Sequence, residues 1–290
     1  MGKGRVVKKA ILFVNLHKKN AFVAARQVSD EFTKQGIETC VFAFDGKPEN
    51  VPQGQWDIAV SLGGDGTVLF TARCLASLNV PILPVNLGSL GFIAGKWDDW
   101  LDVFTKWKNG EISPSQRCML EVSVERSSEI VMKNICLNDI VISASGIAKL
   151  IKLDVFIGSK SLVSYRCDGL IISTPTGSTA YSMAAGGPIV DPEMEALIIN
   201  PICPFALSNR PFVLPSKQPL VISVPAKQRT GVLLTVDGQD TFNLECGDNI
   251  FIQQAKEPAM LVFSDRHAYY AALRNKLLWP GDSVKGGKHA

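Results

Sequence analysis

The stretch Asp57-Ile-Ala-Val-Ser-Leu-Gly-Gly-Asp-Gly-Thr67 joins an apolar run to a glycine-rich loop that contains one carboxylate. The apolar run predicts a buried strand, and residues 67–78 predict a helix directly after the loop. Such a turn lets the backbone approach a ligand closely, and the N–H groups that begin the helix favour phosphate. The loop residues predicted to bind phosphate are Gly63, Gly64, Gly66 and Thr67.

Strands and helices alternate on both sides of this loop. Apolar runs at 9–16, 37–44 and 81–86 predict further buried strands, and the helical spacing over 20–35, followed by Gly36, predicts a helix. Alternation of this kind is typical of a parallel sheet, whose ligands bind at the carboxyl ends of the strands. We therefore predict an α/β domain with a parallel, Rossmann-like sheet.

The pattern changes near residue 110 to short β-type runs with little helix between them. These runs lie at 118–126, 130–136, 139–143, 150–157, 169–173, 212–214, 219–224, 231–237 and 249–254. They predict an all-β, sandwich-like domain. The segment near the end, from 267 to 278, again has helical composition. The expected domains are therefore 1–112 joined by 265–290, which is α/β, and 113–264, which is β-rich and binds the substrate.

Composition argues against several classes of protein. The chain has 290 residues and a formal net charge of only +3, without the concentrated basic face of a nucleic-acid binder. No apolar stretch approaches the roughly 18–20 residues of a membrane-spanning helix. The seven cysteines are scattered and form no C-x-x-C pair, which favours reduced thiols over disulfides or zinc. We expect a cytoplasmic protein with neither nucleic acid nor membrane as a partner.

Asp65 is the unusual residue of the glycine-rich loop, because a carboxylate repels phosphate unless it has a chemical role. It could accept a proton from a hydroxyl group, or it could hold Mg²⁺. The alternative is that Asp65 caps the following helix. The chain lacks the G-x-x-x-x-G-K-[ST] loop, a G-x-G-x-x-G after a strand and the protein-kinase motifs, which argues against those enzyme classes.

Two more polar motifs lie in the β-rich half. Asn138-Asp139 stands between two apolar runs, and an amide beside a carboxylate can bracket ribose hydroxyls or a base edge, although a simple turn is the alternative. Further on, an apolar strand enters Ser173-Thr-Pro-Thr-Gly-Ser-Thr-Ala-Tyr-Ser182, a loop rich in hydroxyl groups. This loop suits the sugar and base of a nucleotide, and a Ser/Thr-rich linker is the alternative.

Together these motifs resemble the NAD kinase family. G-G-D-G-T at 63–67, Asn138-Asp139 and D-G-L-I-I-S-T-P-T-G-S-T-A-Y-S at 168–182 occur in the order of that family, and Asp237-Gly238-Gln239 is similar to a later motif. The resemblance implies an α/β domain followed by a β domain. It implies transfer of the γ-phosphate of ATP to the 2′-hydroxyl of the adenosine ribose of NAD, giving NADP. It also implies Mg²⁺ or another divalent cation, for which no protein ligand is assigned, and a homodimer or homotetramer.

The same resemblance implies roles for individual residues. Asp65 matches the catalytic base. The residues that match NAD contacts are Gly66, Phe92 (near the adenine), Asn138, Asp139, Lys149, Arg166, Asp168, Thr179, Ala180, Tyr181, Ser182, Met183, Ala184 and Gln239. Two positions depart from the family: Asp139 stands where glutamate is commoner, and Ser89 stands where a histidine is often found. The donor (ATP alone or also polyphosphate) and the preference for NAD or NADH stay open.

Two rival interpretations deserve a test. Lipid kinases of the diacylglycerol or sphingoid type also carry a GGDGT-like loop, but the hydroxyl-rich loop at 173–182 and the lack of a membrane-binding segment argue against them. A non-catalytic NAD-binding sensor is the second rival, and it would not need a carboxylate at Asp65. Formation of NADP from NAD and ATP separates all three.

Overall fold

The computed structural model describes residues 4–45, 51–88, 91–146, 149–263 and 267–279. The chain divides into two compact units. The first contains Met1–Cys74, Val80–Ser115 and Met260–Ala290, and the second contains Leu75–Asn79 and Gln116–Ala259. Ser89, the residues after 279 and residues 264–266 were part of the sequence predictions and lie outside the described residues.

The first unit alternates strands with helices. Its elements are β1 (Lys9–Asn15), α1 (Ala21–Lys34), β2 (Glu38–Phe44), β3 (Ile58–Gly63), α2 (Asp65–Leu75), β4 (Ile82–Asn86), β5 (Gly95–Lys96), α3 (Trp100–Lys108) and β6 (Ser115–Arg117). A 3-10 turn, Trp97–Asp99, leads into α3. Near its end the chain adds β19 (Ala259–Leu261) and α5 (His267–Leu277). The predicted elements occur in the predicted order, and α3, β5, β6 and β19 are additional.

The sheet of the first unit is parallel where its strands form the core. Its order is β2-β1-β3-β4-β19-β6, with β5 beside β4, and the pairs β1–β2, β1–β3, β3–β4 and β4–β19 are all parallel. Gly63 lies opposite Asn86, and Asn15 lies opposite Phe44, so these four strands end at one edge of the sheet. The predicted Rossmann-like α/β fold is confirmed, and the glycine-rich loop lies at the edge where such sheets bind ligands.

The second unit consists almost entirely of strands. They are β7 (Leu120–Arg126), β8 (Glu129–Cys136), β9 (Asp139–Ala144), β10 (Ile151–Ile157), β11 (Lys160–Cys167), β12 (Gly169–Ser173), β13 (Ala196–Ile202), β14 (Phe212–Pro215), β15 (Leu220–Ser223), β16 (Val232–Val236), β17 (Asp240–Leu244) and β18 (Asn249–Gln254). A 3-10 helix, Thr176–Thr179, and the short helix α4 (Tyr181–Ala184) follow β12.

These strands form two six-stranded antiparallel sheets. Their orders are β11-β10-β15-β18-β7-β8 and β14-β13-β12-β9-β16-β17. One apolar cluster joins them, since Leu120 and Val155 of the first sheet belong to the same buried cluster as Ile142 and Leu197 of the second. Alternation of buried and outward-facing side chains lets each sheet present one face to this core. The predicted all-β, sandwich-like architecture is confirmed.

The elements differ from the sequence predictions in detail. Helix α2 begins at Asp65 instead of 67 and ends at Leu75 instead of 78, because the Gly64 carbonyl already accepts the N–H groups of Thr67 and Val68, at 2.9 and 3.2 Å. The segment expected as a long polar loop at 173–182 contains the 3-10 helix and the start of α4. The predicted bounds of the two domains stay a prediction.

Candidate active site

The glycine-rich loop is fastened to the end of β1 through Thr67. The Thr67 hydroxyl accepts hydrogen bonds from the Asn15 side-chain amide at 3.1 Å and from the Gly64 N–H at 3.4 Å. A Cβ at position 63 would overlap the Thr67 side chain, so the close turn requires glycine there. The loop thereby opens the eleven-residue helix α2 in a fixed orientation, and the positive end of that helix favours an anion.

The Asp65 carboxylate is held by a distant segment of the same unit. Oδ2 accepts the Phe92 N–H at 2.8 Å, and Oδ1 accepts the N–H groups of Ile93 and Ala94 at 3.2 and 3.0 Å. These hydrogen bonds connect residues 27 to 29 positions apart, so they are not a cap of its own helix. A Cβ at Gly91 would overlap the carboxylate, so this approach requires glycine.

The pattern of these hydrogen bonds leaves an identifiable acceptor position on Asp65. A carboxylate has about four lone-pair positions, two on each oxygen. Among the described residues, Oδ1 accepts two N–H groups and Oδ2 accepts one. The position that these three hydrogen bonds leave open is therefore on Oδ2.

Phe92, the predicted adenine contact, is half-buried beside this carboxylate. The ammonium nitrogen of Lys276, on α5, lies 4.3 Å from the centre of the Phe92 ring. Such cation–π contacts contribute about 0.5–1 kcal/mol at exposed sites. The helix near the end of the chain therefore helps to place the segment that holds Asp65.

In the second unit, the hydroxyl-rich loop packs on the backbone of the Asn138-Asp139 pair. The Thr174 hydroxyl donates to the Leu137 carbonyl at 2.6 Å, and the Thr174 N–H donates to the Asn138 carbonyl at 2.8 Å. A Cβ at Gly177 would overlap the Asn138 backbone, so the contact requires glycine. The loop is thus a buried part of the fold, and the alternative of a Ser/Thr-rich linker is wrong.

Near the Asn138-Asp139 pair, two buried polar atoms have no hydrogen-bond partner among the described residues. Asn138 is 8% exposed, and its Oδ1 has no hydrogen-bond partner among the described residues. The Thr176 hydroxyl, also buried, shares this property. A buried polar atom without a partner costs about 1–3 kcal/mol, so these groups are suited to a ligand that supplies the missing hydrogen bonds.

Asp139 is a buried carboxylate with an altered pKa. It is 4% exposed, and burial, helped by the nearby negative charge of Asp237, raises the pKa of Asp139 to about 7. Its strand partner on β12 is Ser173. The group therefore changes its charge near neutral pH, which makes its hydrogen bonding to a ligand sensitive to pH.

The other predicted NAD contacts of the second unit have varied surroundings. Arg166, on β11, is exposed, and its guanidinium carbon lies 5.1 Å from the centre of the Phe205 ring. Asp168 is half-buried between β11 and β12, Gln239 is half-buried after β16, and Lys149 is exposed. The structure brings Asn138 and Asp139 together with the loop at 173–177. Arg166 instead packs against the Phe205 ring.

The segment from Thr179 to Ala184 presents only part of its surface to solvent. Thr179 and Ser182 are buried, Ala180 and Met183 are half-buried, and Ala184 is exposed. Tyr181 is 48% exposed. The Asn200 amide donates to the Ser182 carbonyl at 2.9 Å, which anchors α4 to β13. Tyr181 is thus the large side chain of this segment that is accessible to a ligand.

Two residues that shape the site were not assigned a role from the sequence. Gly91 admits the Asp65 carboxylate, and Asp237 accepts the N–H groups of Leu137, Asn138 and Asp139. Asp237 lies in the Asp237-Gly238-Gln239 motif, whose predicted NAD contact is Gln239. The described residues include no group of three or more His, Cys, Asp or Glu that could hold a metal ion.

Comparison with known proteins places the chain in a family. The model of the ATP-NAD kinase N-terminal domain matches residues 5–98, and that of the ATP-NAD kinase C-terminal domain matches residues 137–264. The chain belongs to the NAD kinase family. The NAD kinase of Treponema denticola is 39% identical over 279 residues, which cover 96% of this chain and 98% of that protein. The NAD kinase of Geobacter sulfurreducens is 43% identical over 233 residues, or 80% and 81% of the two chains.

Solved structures of NAD kinases share the fold. A yeast NADH kinase in complex with NADH has a TM-score of 0.80 at 24% identity and covers 99% of this chain and 91% of its own. An Archaeoglobus fulgidus NAD kinase in complex with ATP has a TM-score of 0.70 at 25% identity, with coverage of 94% and 100%. The chain is thus a phosphotransferase of the NAD kinase type, which phosphorylates NAD to NADP with ATP. No helix of the described residues is long and apolar enough to cross a membrane.

Proposed function

We propose that this NAD kinase uses Asp65 as the general base in a direct in-line transfer. The 2′-oxygen of the adenosine ribose of NAD forms a bond to the γ-phosphorus of ATP, and the bond from that phosphorus to the β–γ bridging oxygen breaks. The hydroxyl proton passes to Asp65, and ADP leaves. The observation that carries the proposal is the acceptor position on Asp65 Oδ2 that the described residues leave open, beside three backbone N–H donors.

Orientation supplies much of the catalytic effect in this proposal. A carboxylate is a weak base toward a ribose hydroxyl, so its contribution depends on where it is held. The N–H groups of Phe92, Ile93 and Ala94 fix both carboxylate oxygens, which removes the freedom of the side chain to turn away. The base is thereby pre-oriented before NAD arrives.

Asn138 and Asp139 bind the dinucleotide in this proposal. The support is their burial, the Asn138 Oδ1 atom without a partner and the close packing of the loop at 173–177 on their backbone. Asn138 accepts a hydrogen bond from the base or ribose, and ionised Asp139 accepts hydrogen bonds from ribose hydroxyls. The remaining contacts proposed are Gly66, Phe92, Lys149, Arg166, Asp168, Thr179, Ala180, Tyr181, Ser182, Met183, Ala184 and Gln239.

The phosphates of ATP are proposed to lie at the glycine-rich loop, Gly63 to Thr67, near the positive end of α2. Mg²⁺ commonly binds through substrate phosphates and one or two carboxylates and keeps several waters. When bound, the cation neutralises phosphate charge. No protein ligand is assigned to it.

Assembly and location are further proposals. Exposed apolar side chains of the second unit, among them Met194, Phe205 and Leu207, support a homodimer or homotetramer, because they would be covered in such an assembly. The seven cysteines are free thiols, as is usual in the reducing cytoplasm, and we propose that location. Light scattering of the purified protein, which gives the mass of the assembly, tests the first proposal.

A coupled assay of NADP formation tests the proposed activity. Purified protein is supplied with NAD and ATP, and NADP is detected with an NADP-specific dehydrogenase. Parallel reactions replace ATP with polyphosphate, NAD with NADH, and NAD with diacylglycerol or a sphingoid base. NADP made from NAD and ATP supports the proposal. Phosphorylation of lipid alone, or tight NAD binding without product, contradicts it.

A further inference from the structure

Asp237 occupies a tight turn between β16 and β17. The Gln239 N–H donates to the Val236 carbonyl at 2.9 Å, and both residues between them have positive φ, 51° for Asp237 and 65° for Gly238. Asp-Gly is a favoured pair for such a turn, because aspartate tolerates positive φ and glycine adopts it at no steric cost. The turn places the Asp237 side chain against residues 137–139.

The Asp237 carboxylate binds three consecutive backbone N–H groups. Oδ2 accepts from Leu137 at 3.0 Å, and Oδ1 accepts from Asn138 at 2.7 Å and from Asp139 at 3.2 Å. The Asp237 N–H in turn donates to the Asp139 carbonyl at 2.9 Å. The turn therefore holds the backbone of the Asn138-Asp139 pair by four hydrogen bonds.

The opposite side of the same backbone is held by the hydroxyl-rich loop. Thr174 donates to the Leu137 carbonyl through its hydroxyl and to the Asn138 carbonyl through its N–H. With both its N–H and its carbonyl groups held, the backbone fixes the point from which the Asn138 side chain leaves the chain before a ligand binds. That side chain ends in the buried Oδ1 atom that has no partner among the described residues.

We propose that Asp237 is a positioning residue for NAD, whose carboxylate fixes the Leu137–Asp139 backbone so that Asn138 and Asp139 meet the dinucleotide in one orientation. This inference rests on the proposed NAD site at Asn138 and Asp139. Asp237 acts through these two residues and takes no part in phosphate transfer. Its removal therefore weakens NAD binding and leaves the use of ATP unchanged.

The charge of Asp237 gives the proposal a second observable. Burial is the larger cause of the raised pKa of Asp139, and the negative charge of Asp237 adds to it. The strand partner of Asp139 on β12, Ser173, and the adjacent Asn138 are neutral. Replacement of Asp237 by neutral asparagine therefore lowers the pKa of Asp139 and moves the pH midpoint of NAD affinity downward.

The test compares wild type with Asp237→Asn by titration calorimetry with NAD in the absence of ATP, and by steady-state kinetics. We expect the NAD dissociation constant of Asp237→Asn to rise about 10-fold or more, since a hydrogen bond to a charged group is lost. We expect its KM for ATP to change less than about twofold and its pH midpoint to fall. Asp240→Asn is the matched control, because the Asp240 carboxylate accepts from Asn134 at 3.3 Å. Wild-type NAD affinity in Asp237→Asn overturns the proposal.

A double-mutant cycle with Asn138→Ala tests whether Asp237 acts through Asn138. The loss caused by Asp237→Asn should shrink to about threefold or less in the Asn138→Ala background, because coupled residues are not additive. Full additivity contradicts the proposal.

If Asp237→Asn does not fold, Asp237→Glu replaces it in the test. Glutamate retains the charge but is one methylene longer, so we expect weaker NAD binding at an unchanged pH midpoint. Wild-type NAD affinity of Asp237→Glu overturns the inference. Failure of the wild type to bind NAD would count against the proposed function itself.

Discussion

Asp65 Oδ2 lies 2.8 Å from the backbone nitrogen of Phe92, so the proposed base and the proposed adenine contact are fixed to one another. Ile93 and Ala94 complete the set of N–H donors. Because this segment follows β4 and the base follows β3, two neighbouring strands of the parallel sheet define the position of one carboxylate. The chemistry of the loop therefore depends on a segment that contains no catalytic group.

Gly91→Ala is expected to displace the Asp65 carboxylate without removing its charge. The added methyl group would occupy the space of the carboxylate, and a misplacement of about 1 Å can lower the rate about 100-fold. We predict a fall of that size in kcat/KM for NADP formation. Gly88→Ala is the control, because a Cβ there meets only Asn86 Oδ1, at an ordinary 3.8 Å. Equal activity of Gly91→Ala and Gly88→Ala would contradict the proposal that Gly91 allows the Asp65 carboxylate to take its catalytic position.

Asp65 is expected to stabilise the fold as well as to act in catalysis. Asp65→Ala leaves the N–H groups of Phe92, Ile93 and Ala94 without their acceptor, and a lost partner of this kind costs about 1–3 kcal/mol. Urea unfolding should show that loss. Asp30→Ala is the control, since Asp30 is an exposed helix residue paired with Arg26 at 3.9 Å and should change the stability by less than about 0.5 kcal/mol.

The sequence predicted the architecture because the apolar patterns of the core strands are strong. It did not predict β11, whose segment Lys160–Cys167 is at a sheet edge and mostly outward-facing, so its polar residues conceal the strand. It did not predict β13 either, where Asn200 is fully buried within Ala196–Ile202. Burial of a polar residue depends on tertiary partners that a local pattern does not contain.

Helix α3 could have been predicted from the sequence, although it was not. Its buried residues, Trp100, Val103, Phe104 and Trp107, have the i, i+3, i+4, i+7 spacing of an amphipathic helix.

The candidate site could be predicted from the sequence only in part. The motifs identified Asp65, Asn138 and Asp139 as candidates, but the backbone donors that hold Asp65 lie 27 to 29 residues away, and those contacts depend on the fold.

The raised pKa of Asp139 predicts a particular dependence of stability on pH. Its pKa in the folded protein is about 7 against a reference value of 3.8, so the folded state binds more protons between these values. Stability from this group is therefore greatest below pH 4 and is lost as the pH rises through 7. Between pH 5 and 8 we expect the unfolding free energy of the wild type to fall by about 2–3 kcal/mol relative to Asp139→Asn. A constant difference between the two proteins would show that Asp139 titrates normally.

Gly177→Ala should weaken NAD binding through the Asn138 backbone. The methyl group would overlap that backbone and push the pair away from its position. We expect the KM for NAD to rise about 10-fold or more, with a smaller change in the KM for ATP. Gly4→Ala is the control, because a Cβ there makes only an ordinary contact, 3.6 Å from the Lys108 carbonyl oxygen. Calorimetry with NAD alone separates a binding defect from a catalytic one.

The central claim is that Asp65 is the base for phosphate transfer to NAD. Its most direct test measures turnover and NAD affinity on the same preparation of Asp65→Asn, with the coupled NADP assay and calorimetry. Asparagine keeps the size of the side chain but cannot accept the hydroxyl proton. We predict an NAD dissociation constant within about threefold of wild type and a kcat lower by about 10²–10⁴-fold. A variant that binds NAD and turns it over at close to the wild-type rate would contradict the account.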